Sequence, residues 1–94
     1  MQMDVGMDTG DILLSQETAI MPEETTGELW ERLSILGAKT LIETLNTLDH
    51  ITPQPQTHAQ ATHAPMLQKS DGCIDWQQSE QTIFNLVRGV TPFP

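Results

Sequence analysis

The clearest pattern of apolar positions lies between residues 25 and 50. Six leucines follow mostly three- and four-residue steps, the spacing of one helical face: Leu29, Leu33, Leu36, Leu41, Leu45 and Leu48. Thr25 and Glu28 have the spacing of a capping box, which predicts that a helix begins there. The stripe takes a five-residue step across Gly37, which predicts a kink or a break in the helix at that glycine.

A second, shorter helix is predicted near residue 80. Ser79 is a suitable N-cap, and Gly89 and Pro92 are suitable to end the helix. Its apolar face consists of Ile83, Leu86, Val87 and Val90. Residues 51–68, between the two helical regions, are rich in Pro, Gln, Thr and His without periodicity, which is typical of a linker.

The first twenty residues have a different pattern. Residues 1–3 resemble the end of a strand, and residues 12–20 continue with partly alternating apolar positions. We therefore expect a hairpin-like pair of strands, joined by a glycine-rich and acidic loop at residues 4–11.

Composition makes an independent core improbable. Only 37% of the 94 residues are apolar and tyrosine is absent, so the leucine stripe needs another surface to cover it; Trp30 and Trp76 are interpreted as packing residues. The net charge of −9 repels phosphate, which places most contacts to any RNA outside these residues. Cys73 is the only cysteine, so no internal disulfide can form. The chain also has no apolar run long enough to predict a membrane span, and we therefore expect a cytoplasmic protein.

The acidic loop permits several interpretations from its residues alone. It can be a turn without function. Asp8-Thr9-Gly10 is also the tripeptide of aspartic proteases, although that fold is nearly all β and the middle of this chain has helical periodicity. Asp4, Asp8 and Asp11 are calcium-ligand types, but their spacing does not fit an EF-hand loop. The histidines and Cys73 lack a recognised zinc spacing, and no metal site is predicted.

Several segments in succession resemble methionyl-tRNA formyltransferases. Met1 to Leu13 resembles their active-site loop, and Thr26-Gly27-Glu28-Leu29 with Leu36-Gly37-Ala38 resembles their last catalytic-domain helices. Two further segments resemble the interdomain linker, namely Gln60 to Pro65 and Asp71 to Trp76, and Val87 to Pro94 resembles the entry to the C-terminal domain. The resemblance follows the order of the family along nearly the whole chain.

The resemblance implies a fold and a domain organisation. The expected fold class is an α/β fragment: terminal β-strands and helices of a Rossmann-like formyltransferase domain, then a linker and one helix of the C-terminal domain. Residues 1–49 would be the C-terminal part of the catalytic domain, residues 50–73 the interdomain linker, and residues 74–94 the start of the tRNA-binding C-terminal domain.

The resemblance also implies an activity. Such enzymes transfer a formyl group from 10-formyltetrahydrofolate to the amino group of initiator methionyl-tRNA in translation initiation. Asp8 would be the catalytic carboxylate, and the folate co-substrate would contact Asp4, Val5, Gly6, Met7 and Asp8.

The family's catalytic asparagine and histidine would lie upstream of Met1, so these 94 residues alone are expected to be inactive, and the full-length enzyme is expected to be a monomer. The alternatives are a sugar-nucleotide or other folate-dependent amine formyltransferase and a non-catalytic remnant.

Overall fold

The computed structural model describes all 94 residues. It contains two α-helices, α1 at Thr26–Asn46 and α2 at Glu80–Gly89. Three short 3-10 turns accompany them, at Leu48–His50, His58–Gln60 and Lys69–Gly72. The rest of the chain is irregular, apart from one isolated antiparallel bridge between Ile12 and Gln54.

The expected fold class is wrong. No strand forms at residues 1–3 or 12–20, and the chain is therefore not a Rossmann-like α/β fragment. A strand exists only where a neighbour accepts its backbone hydrogen bonds. Of the residues predicted to be strands, Ile12 finds such a neighbour in Gln54, and Gln2 donates one backbone hydrogen bond to Asp11 at 2.8 Å. The alternating pattern therefore produces an extended segment and not a sheet.

The start of α1 follows the prediction from its capping box. The Thr25 backbone N–H donates to Glu28 Oε2 at 2.8 Å, and the Glu28 N–H donates back to Thr25 Oγ1 at 3.4 Å. The predicted break at Gly37 does not occur, because the helix continues through it to Asn46. None of the residues of α1 is buried, so no packing surface forces its apolar stripe to stay in register.

Helix α2 begins after Ser79 and ends at Gly89 as predicted, although Val90, predicted to lie on its apolar face, is the C-cap. Ser79 is its N-cap, and the Ser79 hydroxyl accepts a hydrogen bond from the Thr82 N–H at 3.1 Å. The helix ends at Gly89, two residues before the Thr91-Pro92 peptide, where proline would remove a backbone donor. Local sequence signals are therefore sufficient to place both helix starts.

The chain divides into two compact units. One contains residues 1–18 and 35–63, and the other contains residues 19–34 and 64–94. No apolar side chain is buried in either unit, and Trp30 and Trp76 are 73% and 77% exposed, so neither packs as expected. Neither helix combines the length and the apolar content needed to cross a membrane.

Candidate functional site

The acidic loop at residues 4–11 has a defined internal structure. The Asp4 carboxylate accepts hydrogen bonds from the Gly6 N–H, at 2.9 Å, and from the Thr9 hydroxyl. These bonds favour the charged form, and they lower the pKa of Asp4 below its usual range, the Thr9 hydroxyl more than the Gly6 N–H. Asp4 is therefore an organising residue of the loop, and its carboxylate is already engaged.

Asp8 differs from Asp4 in both its backbone and its side chain. It is the one non-glycine residue of the chain with a positive φ, 56°, in the left-handed region that costs most residues about 1–2 kcal/mol. Aspartate is among the residues that tolerate this region best. The Asp8 carboxylate is exposed and makes no hydrogen bond or ion pair within the chain, so it is free to act on another molecule.

Gly10 explains why the loop needs a glycine where it closes. It is buried, and a Cβ added there would overlap the carbonyl oxygen of Gln2, so no side chain fits at this position. The Asp11 carbonyl accepts from the Gln2 N–H at 2.8 Å, which closes the same end of the loop. The Asp11 backbone thus braces the loop, whereas its carboxylate makes no hydrogen bond or ion pair within the chain.

The side-chain amide of Gln56 binds the loop from a distant part of the sequence. Its Nε2 donates to the carbonyl oxygens of Asp8, at 2.9 Å, and Gly10, at 2.7 Å. The neighbouring Gln54 forms both backbone hydrogen bonds of its bridge to Ile12, at 2.8 and 2.9 Å. The composition of residues 51–68 predicted a linker, and this role of Gln56 was not predicted. The available signal was the Pro53-Gln54-Pro55-Gln56 run, because a residue before proline favours an extended backbone.

The loop residues between Asp4 and Asp8 expose backbone groups that a ligand could bind. Val5 and Met7 are fully or almost fully exposed, at 109% and 89%, and their backbone groups bind nothing within the chain. A pterin ring carries amide and amino groups that pair with backbone N–H and C=O, the groups that commonly orient a small ligand. Residues 5 and 7 therefore leave backbone donors and acceptors open to a ligand of this kind.

The second unit contains a turn held by two arginines, which we call the arginine-braced turn (residues 21–24). Arg32 Nε donates to Glu24 Oε1 at 2.6 Å and its Nη2 to Glu24 Oε2 at 2.9 Å, a bidentate pair. Arg88 Nη1 donates to the Glu24 carbonyl at 3.1 Å. The Arg32 hydrogen bonds keep the pKa of Glu24 below its usual range. Both arginines are thus committed to structure.

Other features of the chain offer less chemistry. No three His, Cys, Asp or Glu side chains lie where they could together hold a metal ion. A shallow apolar depression of about 390 Å³ lies along α1 and is lined by Thr26, Leu29, Trp30, Leu33 and Ser34. Its lining has no charged side chain. The acidic loop is accordingly the strongest candidate site.

Comparison with known sequences relates the chain to formyltransferases. A family described as formyl transferase, C-terminal domain, matches residues 66–94. This match, together with the lack of strands, also overturns the expectation of a Rossmann-like fragment.

The chain is 51% identical to the methionyl-tRNA formyltransferases of Geotalea uraniireducens and Acetivibrio thermocellus, and 49% identical to that of Desulfotalea psychrophila. Each match covers 100% of this chain but only 30–31% of the relative. Over its whole length, therefore, the chain resembles a segment of methionyl-tRNA formyltransferases, about a third of their length.

Proposed function

We propose that this chain is part of an enzyme that transfers a formyl group from 10-formyltetrahydrofolate to the amino group of initiator methionyl-tRNA. One observation carries the proposal: the chain is 51% identical, over its whole length, to proteins that are named methionyl-tRNA formyltransferases. The setting of such a reaction is translation initiation in the cytoplasm. The acidic composition fits this assignment if the tRNA is held mainly by other parts of a monomeric enzyme.

The reaction sets two demands on the protein. The amine nitrogen of methionine forms a bond to the formyl carbon, and the bond from that carbon to the folate nitrogen then breaks. The amine loses a proton and the folate nitrogen gains one, while the formyl oxygen carries negative charge in between. The enzyme must therefore stabilise an oxyanion and move a proton with a titratable pair.

Asp8 is the proposed catalytic carboxylate of that pair. Its role would be to orient and charge a histidine supplied by another part of the enzyme, as in other carboxylate–histidine pairs. Two features support the assignment: the Asp8 carboxylate is exposed and unpaired, and its backbone is held in an uncommon conformation. Such conformations are enriched at functional sites.

The folate is proposed to lie against the backbone of residues 4–8. Asp4 and Gly6 give this segment its shape through their hydrogen bond, while Val5 and Met7 leave their backbone groups open to a ligand. Asp4 itself would contribute through the loop backbone, because its carboxylate is already bonded to Thr9 and Gly6.

The 94 residues alone are proposed to be inactive. The Asp8 carboxylate contacts no histidine in this chain, and the loss of an acid–base pair lowers a rate by about 10²–10⁴-fold. The exposed loop also leaves bound substrates open to water, which weakens each electrostatic interaction.

The test uses a chimaera. The matching segment of the Geotalea uraniireducens methionyl-tRNA formyltransferase is replaced by this chain, and formyl-methionyl-tRNA is measured with 10-formyltetrahydrofolate and charged initiator tRNA. We expect activity from the chimaera and none from the isolated chain or from the relative lacking the segment. A folded chimaera that formylates only an amino-sugar nucleotide would favour the sugar-nucleotide alternative, and a folded but inactive one would favour a non-catalytic remnant.

A further inference from the structure

We propose that Gln56 is the positioning residue for Asp8. Its side-chain amide holds the carbonyl oxygens of Asp8 and Gly10 and thereby fixes the backbone from which the Asp8 carboxylate projects. This inference rests on the proposed function, in which Asp8 is the catalytic carboxylate.

The hydrogen bonds of Gln56 use the full donor capacity of its amide. The Nε2 atom has two N–H groups; the carbonyl oxygens of Asp8 and Gly10 lie at 2.9 and 2.7 Å, and the Met1 sulfur, a weak acceptor, lies farther away at 3.8 Å. Carbonyl oxygens only accept, so the amide must present its nitrogen and not its oxygen to them. The contact is therefore specific for an amide donor at this position.

The two hydrogen bonds of the Gln56 amide, which we call the clamp, hold a part of the loop that no other hydrogen bond holds. The Asp8 side chain binds nothing within the chain, so its direction depends on the backbone at φ 56°. The Asp4–Thr9 and Gln2–Asp11 hydrogen bonds hold the flanks of the loop, whereas Gln56 binds the Asp8 peptide itself. A clamp on the backbone leaves the carboxylate free for a substrate or a histidine.

Gln56 is itself held in register with the loop. Gln54 exchanges two backbone hydrogen bonds with Ile12, and Pro55 restricts the backbone between the two glutamines. The side chain of Gln56 is consequently held next to Asp8 by a segment that is itself bonded to Ile12. Gln54, by contrast, has an exposed side chain whose amide donates only to the nearby Thr52 carbonyl at 3.3 Å.

The test compares Gln56→Met with Gln54→Met in the active chimaera. Methionine is neutral and similar in size to glutamine but has no N–H donor. We expect Gln56→Met to lower kcat on the order of 10²-fold, the effect of a misplaced catalytic group. The Gln54→Met control should retain the kcat of the unsubstituted chimaera, because the bridge to Ile12 uses only backbone atoms.

The pH profile of kcat separates positioning from a loss of folded protein. A displaced Asp8 would no longer favour the charged histidine, so Gln56→Met should move the pKa of the profile to lower pH, in the same direction as is expected for Asp8→Asn. A smaller folded fraction would scale the profile without moving it. An unchanged kcat, or a profile that is only scaled, would overturn the positioning role while leaving the function intact. A folded but inactive unsubstituted chimaera would overturn both proposals.

Discussion

The acidic loop and the arginine-braced turn use their carboxylates in opposite ways. In the turn, both oxygens of Glu24 are bonded to Arg32, and the side chain is only 7% exposed. In the loop, neutral groups such as the Gln56 amide hold the backbone, and the Asp8 carboxylate stays exposed and unpaired. An acidic side chain is available for chemistry only when something else holds its segment in place.

The largest effect is expected from Asp8→Asn in the chimaera. The substitution should lower kcat by about 10²–10⁴-fold, the usual contribution of an acid–base group. The melting temperature should not change, because the carboxylate makes no hydrogen bond or ion pair within the chain. Single-turnover rates and thermal melting would be measured together.

Asp11→Asn is the matched control for Asp8→Asn. It removes the same charge three residues away, and the brace to Gln2 uses the Asp11 carbonyl and is retained. Equal losses of activity in the two variants would contradict the assignment of Asp8 and point to the charge of the whole loop.

The next effect concerns how the loop closes. Gly10→Ala places a Cβ against the Gln2 carbonyl and should destabilise the chimaera by about 1–3 kcal/mol, as overpacking does. Urea unfolding measures the change. The same substitution at Gly37 meets no atom within 4 Å and should stabilise α1 by roughly 0.5–1 kcal/mol. A Gly10→Ala variant as stable as the parent would show that the loop closes differently.

The smallest effect is expected at Glu24, since Arg32 is 38% exposed and solvent screens the pair. The folded-state pKa of Glu24 is lowered, mainly by the hydrogen bonds from Arg32. Its stabilisation is therefore fully present above the unfolded value of about 4.3 and is lost as the pH falls through the folded value.

Unfolding of the chimaera between pH 7 and pH 3 would reveal this contribution. Glu24→Gln should be less stable at neutral pH and should lose less stability on acidification than the parent. Glu23→Gln serves as the control, because Glu23 has no partner within the chain. Parallel pH curves for the parent and Glu24→Gln would refute the structural role of the pair.

The sequence predicted the features that depend on near neighbours. The Thr25–Glu28 capping box and the Ser79 cap place both helix starts, because each side chain binds a backbone group only three residues away. The resemblance to methionyl-tRNA formyltransferases was also recognisable from short segments in their order, and it is confirmed over the whole chain.

Features that depend on distant residues could not be predicted. The predicted strands do not form because residues 12–20 have almost no backbone hydrogen-bond partner, and the periodicity of a segment does not reveal which other segment pairs with it. The break at Gly37 failed because an unpacked helix has no face to keep aligned. Gln56 was missed because its contacts are 46 and 48 residues away in the sequence. The catalytic role of Asp8 and the domain boundaries at residues 50 and 74 stay predictions.

The exposure of the large apolar side chains has a calorimetric consequence. The heat-capacity increment of unfolding arises mainly from apolar surface that folding had removed from water. This chain leaves no apolar side chain fully buried, so heating it alone should give a broad transition with a smaller increment than a packed domain of the same length. When the chain is mixed with the protein segment that covers its leucines, the transition should become sharp and the heat-capacity increment should rise. Scanning calorimetry of such mixtures would therefore identify that segment without any enzymatic assay.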